Sequence, residues 1–190
     1  KEKDVVIDIG AHIGYFSIYS SINAKDGKIF AFEPHNKSFE VLKKNLEINQ
    51  IENVIPQNLG VTKKSGIGSL YLKKDFAIGN SIYKNTDSDL KIEIKTISLQ
   101  DIIKNNDLQR INILKLDCEG AEYQILLNLD HQTLQKIDKI VSEMHPKIEN
   151  FKIKDVEDFL TKHGFNVKII HPLNNTSKEL VMLYAKNHMN

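Results

Sequence analysis

Val5-Val6-Ile7-Asp8-Ile9-Gly10-Ala11-His12-Ile13-Gly14-Tyr15-Phe16-Ser17 runs from an apolar stretch over two glycines into a helically spaced pattern. A buried strand that turns abruptly into a helix forms a cradle for a small molecule at the mouth of a parallel sheet. Further along, Ile29-Phe30-Ala31-Phe32-Glu33-Pro34 repeats the gesture, a second apolar strand ending in a carboxylate. Together the two strand ends point to a nucleotide-like cofactor.

The spacing of the glycines says which kind. A dinucleotide fingerprint needs three, as G-x-G-x-x-G, so that a pyrophosphate can approach the backbone. In this chain His12 stands where the middle glycine would be, and Asp8 places negative charge where phosphates would be repelled. S-adenosylmethionine suits these constraints: it has no phosphate, its α-amino group can donate to Asp8, its ribose hydroxyls can donate to Glu33, and its sulfonium favours an acidic pocket.

Short β-branched runs alternate with helical patterns, the signature of parallel strands joined by right-handed crossovers. The pattern predicts strands near 4–9, 28–33, 53–59, 111–117 and 138–144, and helices near 14–24, 36–48, 98–106, 121–129 and 153–163. Gly164 stops the last helix. Phe165–Ile170 and Leu180–Ala185 then read as two strands around a turn-rich stretch, predicting a C-terminal antiparallel hairpin. Residues 66–96 break the alternation with two alternating strands about a polar segment, an inserted β-hairpin placed to overhang the cleft; Asn80 and Ser81 at its tip are the expected substrate-facing residues.

With 190 residues the chain is expected to form a single domain spanning 1–190. A net charge of +1 offers no nucleic-acid footprint. The lone Cys118 excludes an internal disulfide and fits a reducing compartment, and no apolar run approaches the ~18 residues of a membrane span. The expectation is a soluble, cytoplasmic protein; oligomeric state is left open.

The segments DIGAHIGYFS, FEPHNKSFEVLKKNL, LKLDCEGAEYQILL and SEMH, in this order, resemble the FkbM-type family of S-adenosylmethionine-dependent methyltransferases. The resemblance implies a class I methyltransferase fold, a Rossmann-like α/β architecture with a doubly wound, mostly parallel seven-stranded sheet closed by the C-terminal hairpin. It also implies O-methylation of a hydroxyl on a small-molecule or sugar acceptor. Carried onto this chain, the cofactor loop comprises Asp8, Gly10, Ala11, His12, Gly14 and Tyr15, the ribose carboxylate is Glu33 followed by Pro34, and Asn58 to Val61, including Gly60, border the adenine. His12 departs from the asparagine common in this loop, and Gly60 from a common alanine.

Chemistry is expected where strands end. Asp117 closes the fourth predicted strand, at both the cofactor and the acceptor, with Glu119 and Glu122 close behind; Glu122 reads as an ordinary carboxylate in the first turn of a helix. Glu143 and His145 end the fifth. Methyl transfer to a hydroxyl needs in-line approach and loss of a proton, so His145 is assigned as general base, with Asp117 or Glu143 orienting it or the substrate. Asp117, Glu119, Glu143 and His145 are also compatible with a divalent ion, but they lack the spacing of a dedicated motif, and the reading favoured from sequence assigns no metal ligand. The rival readings are a nicotinamide-dependent oxidoreductase, disfavoured by the glycine spacing and the hairpin, and a non-catalytic cofactor-binding module.

Overall fold

The computed structural model describes residues 2–72, 81, 90–145, 151–171 and 181–188. Its centre is β1 (Val5–Ile9), flanked by β2 (Lys28–Phe32) and β3 (Val54–Gln57) on one side and by β7 (Ile113–Leu116) and β8 (Lys139–Met144) on the other, all parallel. β10 (Val181–Asn187) inserts antiparallel between β8 and β9 (Phe165–Ile170), giving the seven-stranded order β3-β2-β1-β7-β8-β10-β9. The order reverses between β1 and β7, the switch point where open α/β sheets bind ligands at the carboxyl ends of the strands.

Alternation along β1 divides the core. Ile7 and Ile9 point into a large cluster with Phe30, Phe32, Leu114, Leu116 and Ile140. Val6 points to the other face, where Ala31, Leu42 and Leu46 pack with Phe16 of α1 (Tyr15–Asn23) and Phe39 of α2 (Asn36–Ile48). A period of two explains both clusters from one strand. In α2 the i, i+4 pair Leu42 and Leu46 is buried, whereas Ile48 at its last turn is exposed.

Helices α3 (Leu99–Asn105), α4 (Glu122–Leu126) and α6 (Ile153–Lys162) fall within their predicted windows. Ser98 caps α3 by accepting the Asp101 N–H at 3.1 Å. α4 ends at Leu126, short of the expected 129, and α5 (His131–Gln135), which the pattern did not predict, starts with Asp130 accepting from Thr133 N–H at 2.7 Å. That Asp-x-x-Thr cap is legible in the sequence and was missed. No helix among the described residues is long and apolar enough to cross a membrane.

The inserted hairpin is present. β5 (Gly66–Leu72) and β6 (Leu90–Ile97) pair antiparallel from Gly66 opposite Thr96 to Leu72 opposite Leu90. The short β4 (Gly60–Val61) joins β6 in parallel, so the insertion belongs to a separate three-stranded sheet in the order β4-β6-β5. Asn80 lies outside the described residues.

Candidate active site

The turn after β1 is fixed by packing. Gly10 has φ 77°, and a Cβ there would overlap the carbonyl oxygen of Asp117 at the end of β7. Gly14 has φ 92°, and its Cβ would run into the Leu42 side chain of α2. Both positions therefore demand glycine on conformational and steric grounds. The N–H groups of Gly10 and Ala11 both donate to Phe32 O at 3.0 Å, locking the loop against β2, and His12 takes a left-handed φ of 51°. Tyr15, expected in the loop, is 84% exposed on the outer side of α1.

Asp8 is 0% exposed. Its Oδ2 accepts from Ser17 Oγ at 2.6 Å, and Oδ1 lies 3.0 Å from Lys115 Nζ, its register neighbour across the parallel β1–β7 ladder. Lys115 Nζ also donates to Gly10 O at 2.8 Å and stands 3.7 Å from Asp117 Oδ2. Burial pulls the ammonium pKa down, but Asp8 and Asp117 outweigh it and hold it above the ordinary lysine value. Asp8 thus offers no surface to a ligand, contrary to the direct contact expected with an α-amino group. It anchors Lys115, which in turn holds the Gly10 carbonyl and the Asp117 carboxylate.

Glu33, buried at the end of β2, accepts His12 N–H at 2.9 Å on Oε2 and His35 N–H at 2.8 Å on Oε1. Burial raises its pKa, and the two N–H bonds oppose the rise. Each oxygen keeps a further lone pair. Asn58 Nδ2 donates to Glu33 O at 2.9 Å and Pro34 O at 3.2 Å, so this side chain buttresses the turn. Gly60 is buried beside Pro34 and Ile94, at the seam with the small sheet.

Across the switch point, the ends of β7 and β8 bring the expected acceptor-side residues together. His145 Nε2 lies 3.5 Å from Glu119 Oε2 and 3.6 Å from Glu143 Oε1. Donor atoms of Asp117, Glu143 and His145 all fall within 4.8 Å of one another. Glu119 sits at a left-handed φ of 53° in the turn. Glu122 is more than a helix-start carboxylate: it is 0% exposed, its Oε1 accepts Cys118 N–H at 2.8 Å, and the same atom lies 3.3 Å from His145 Nδ1. Burial works against charge on the ring, but Glu122, Glu119 and Glu143 overcome it and push the His145 pKa to about 9. The surrounding carboxylates thus favour the protonated ring, which works against the role of free base expected of His145. Burial, reinforced by Asp117, raises the Glu143 pKa. Burial and Glu122 push the Cys118 thiol up, which leaves it a packing residue.

Ser81 is 2% exposed; its hydroxyl donates to Glu119 O at 2.6 Å and its backbone bridges Tyr71. It does not face a substrate, as expected of it, but ties the insertion to the Glu119 turn. Lys115 and Ser17 are the members of this constellation that sequence reasoning passed over, and Glu122 is the one it read as an ordinary first-turn carboxylate.

Comparison with known proteins gives a consistent picture. The profile of the methyltransferase FkbM domain matches residues 8–167. The hexuronic acid methyltransferase AglP of Haloferax volcanii is 27% identical over 169 residues, covering 89% of this chain and 66% of AglP. The 31-O-demethyl-FK506 methyltransferase FkbM of Streptomyces tacrolimicus is 24% identical over 193 residues, covering 86% and 73%. AMB antimetabolite synthetase AmbE of Pseudomonas aeruginosa is 29% identical over 203 residues, 87% of this chain but 10% of AmbE. Among solved structures, the methyltransferase FkbM of Methylobacillus flagellatus superposes with a TM-score of 0.62 at 15% identity, covering 97% of this chain and 44% of that one. SMU.1697c of Streptococcus mutans, solved with S-adenosylhomocysteine, gives 0.57 at 16% identity, covering 98% and 89%. The chain thus spans a small part of AmbE, about two thirds of AglP and less than half of the Methylobacillus protein.

Proposed function

This chain belongs to the FkbM methyltransferase family, and from that membership we propose that it binds S-adenosylmethionine at the β1–β2–β7 crevice and transfers the methyl group to a hydroxyl oxygen. The observation that carries the reading is Glu33: a buried carboxylate at the end of β2, pinned by the His12 and His35 N–H groups, with lone pairs left for two ribose hydroxyls. Charge supports the same cofactor. The Lys115 ammonium is taken up by the buried Asp8 and the Gly10 carbonyl, which leaves Glu33, and Asp117 at 3.7 Å from Lys115, as carboxylates of the crevice. An acidic crevice attracts a sulfonium and repels a pyrophosphate.

The acceptor is a small molecule or sugar hydroxyl. AglP is named for a hexuronic acid and the Streptomyces FkbM for an oxygen of FK506, and both span most of this chain. In the transfer, a lone pair of the hydroxyl oxygen forms the O–C bond to the methyl group. The C–S bond breaks with its electrons going to sulfur, and the hydroxyl proton leaves into the Asp117, Glu119, Glu143 and His145 cluster. The fold's contribution is to hold donor and acceptor in line at neighbouring strand ends. The protein works as an enzyme in the cytoplasm on this reading.

Incubation with methyl-deuterated S-adenosylmethionine and a panel of uronic acids, glycosides and macrolide alcohols tests the proposal by mass spectrometry. A labelled methyl ether is expected; label found solely on amines or thiols added to the same panel would overturn the oxygen assignment.

A further inference from the structure

Asp117, Glu143 and His145 come from two adjacent strand ends, yet each presents a donor atom within 4.8 Å of the other two. Octahedral coordination with bonds of 2.0–2.1 Å sets ligand atoms about 3 Å apart when adjacent and about 4.2 Å apart when opposite. His145 Nε2 and Glu143 Oε1, 3.6 Å apart, therefore have to close by roughly half an ångström to grip an ion as adjacent ligands, and the pairs with Asp117, bounded at 4.8 Å, by at most about 1.8 Å. Two carboxylate oxygens and one imidazole nitrogen make a donor set suited to a divalent cation of the magnesium or manganese type.

A second observation comes from the opposite edge of the imidazole. Glu122 is wholly buried, and its Oε1 approaches His145 Nδ1 at 3.3 Å. Its Oε2 has no hydrogen-bond partner among the described residues. A carboxylate behind one ring nitrogen holds its N–H, so that an ion displacing the proton of the other nitrogen finds a ligand there, the arrangement found behind metal-bound histidines. Here the other nitrogen, Nε2, faces Glu143 Oε1 at 3.6 Å and Glu119 Oε2 at 3.5 Å, somewhat wider than the roughly 3 Å of adjacent ligands on one octahedral ion. Asp117 is kept beside the site by Lys115, 3.7 Å away.

We propose that Asp117, Glu143 and His145 form a binding site for one divalent cation, with Glu122 as the positioning residue behind His145. The identity of what the cation holds rests on the methyltransferase reading: the acceptor hydroxyl coordinates the ion, which stabilises the alkoxide as the proton departs past Glu119 to water. The alkoxide lone pair then forms the O–CH3 bond while the C–S bond breaks toward sulfur. The cation is unchanged at the end of the cycle.

Binding of Mn2+ to the chelator-treated chain, followed by electron paramagnetic resonance, tests the site without any acceptor. One ion per chain is expected, weakened at least tenfold by Glu143→Gln or His145→Gln and about 10- to 100-fold by Glu122→Gln. S-adenosylhomocysteine titration of the same samples reports on folding and on the cofactor crevice separately. Absence of saturable Mn2+ binding up to about 1 mM, the weak end of biological divalent sites, would overturn the proposal. So would binding that none of the three substitutions alters. Mn2+ binding without S-adenosylhomocysteine binding would keep the cation site and remove the methyltransferase reading, and the reverse result would do the opposite.

Discussion

Replacing Lys115 with methionine isolates what the buried pair beneath the cofactor loop contributes. At 3.0 Å and an effective dielectric constant of about 20, the Asp8–Lys115 attraction amounts to about 5 kcal/mol, most of it offsetting desolvation. Removing the ammonium leaves Asp8 fully buried with Ser17 as its remaining partner and frees the Gly10 carbonyl, which costs about 3–5 kcal/mol. For a chain of this size that lowers Tm by roughly 6–20 °C. Asp8→Asn alone should cost less, because Lys115 retains Gly10 O and Asp117. The double variant Asp8→Asn with Lys115→Met removes both charges and should recover at least about 2 kcal/mol relative to the sum of the single costs. Urea unfolding with a constant m-value measures all four species. A coupling energy below about 0.5 kcal/mol would refute the claim that this pair is a linked, buried unit.

Glu33→Gln should weaken S-adenosylhomocysteine binding by about 10- to 100-fold, since one acceptor oxygen becomes an amide donor. In the native chain, affinity depends on the ionised carboxylate, whose pKa is raised. Affinity should therefore be full above that raised pKa and fall as pH drops through it, starting above the ordinary glutamate range; calorimetry against pH checks both the direction and its absence in Glu33→Gln. Gly10→Ala should destabilise more than Gly14→Ala, because both are strained at positive φ but Gly10 abuts a backbone carbonyl, whereas the Leu42 side chain beside Gly14 can shift. Urea midpoints should separate the two by about 1 kcal/mol or more. Ser81→Ala deletes the bond to Glu119 O and should cost about 1 kcal/mol, with turnover falling while cofactor affinity holds; unaltered turnover would detach the insertion from catalysis.

Much of the fold was legible because its signals are local. Apolar runs mark β1, β2 and β7, and the paired runs after Gly164 mark β9 and β10, although nothing local says that β10 slips between β8 and β9. β4 escaped notice because two residues carry no periodicity, and it exists only through its pairing with β6. The place of Glu33 after β2 and the Gly10–Gly14 turn after β1 are legible because strand ends and glycine spacing are sequence features. Lys115 was missed although it left a trace: β1 and β7 each carry one charged residue inside an apolar strand, Asp8 and Lys115, of opposite sign. Register alone makes them neighbours, and register is a property of the sheet. His145 stands at the end of β8, where the strand pattern puts it, but its charge state depends on Glu122, a residue of α4 whose approach from behind the ring is a tertiary fact.

Calorimetric titration of the purified chain with S-adenosylhomocysteine and, separately, with NAD tests the central claim most directly. One-to-one binding of S-adenosylhomocysteine, weakened by Glu33→Gln and with no heat from NAD, is the predicted result. Binding of NAD in its place, or S-adenosylhomocysteine affinity untouched by the loss of Glu33, would contradict the account.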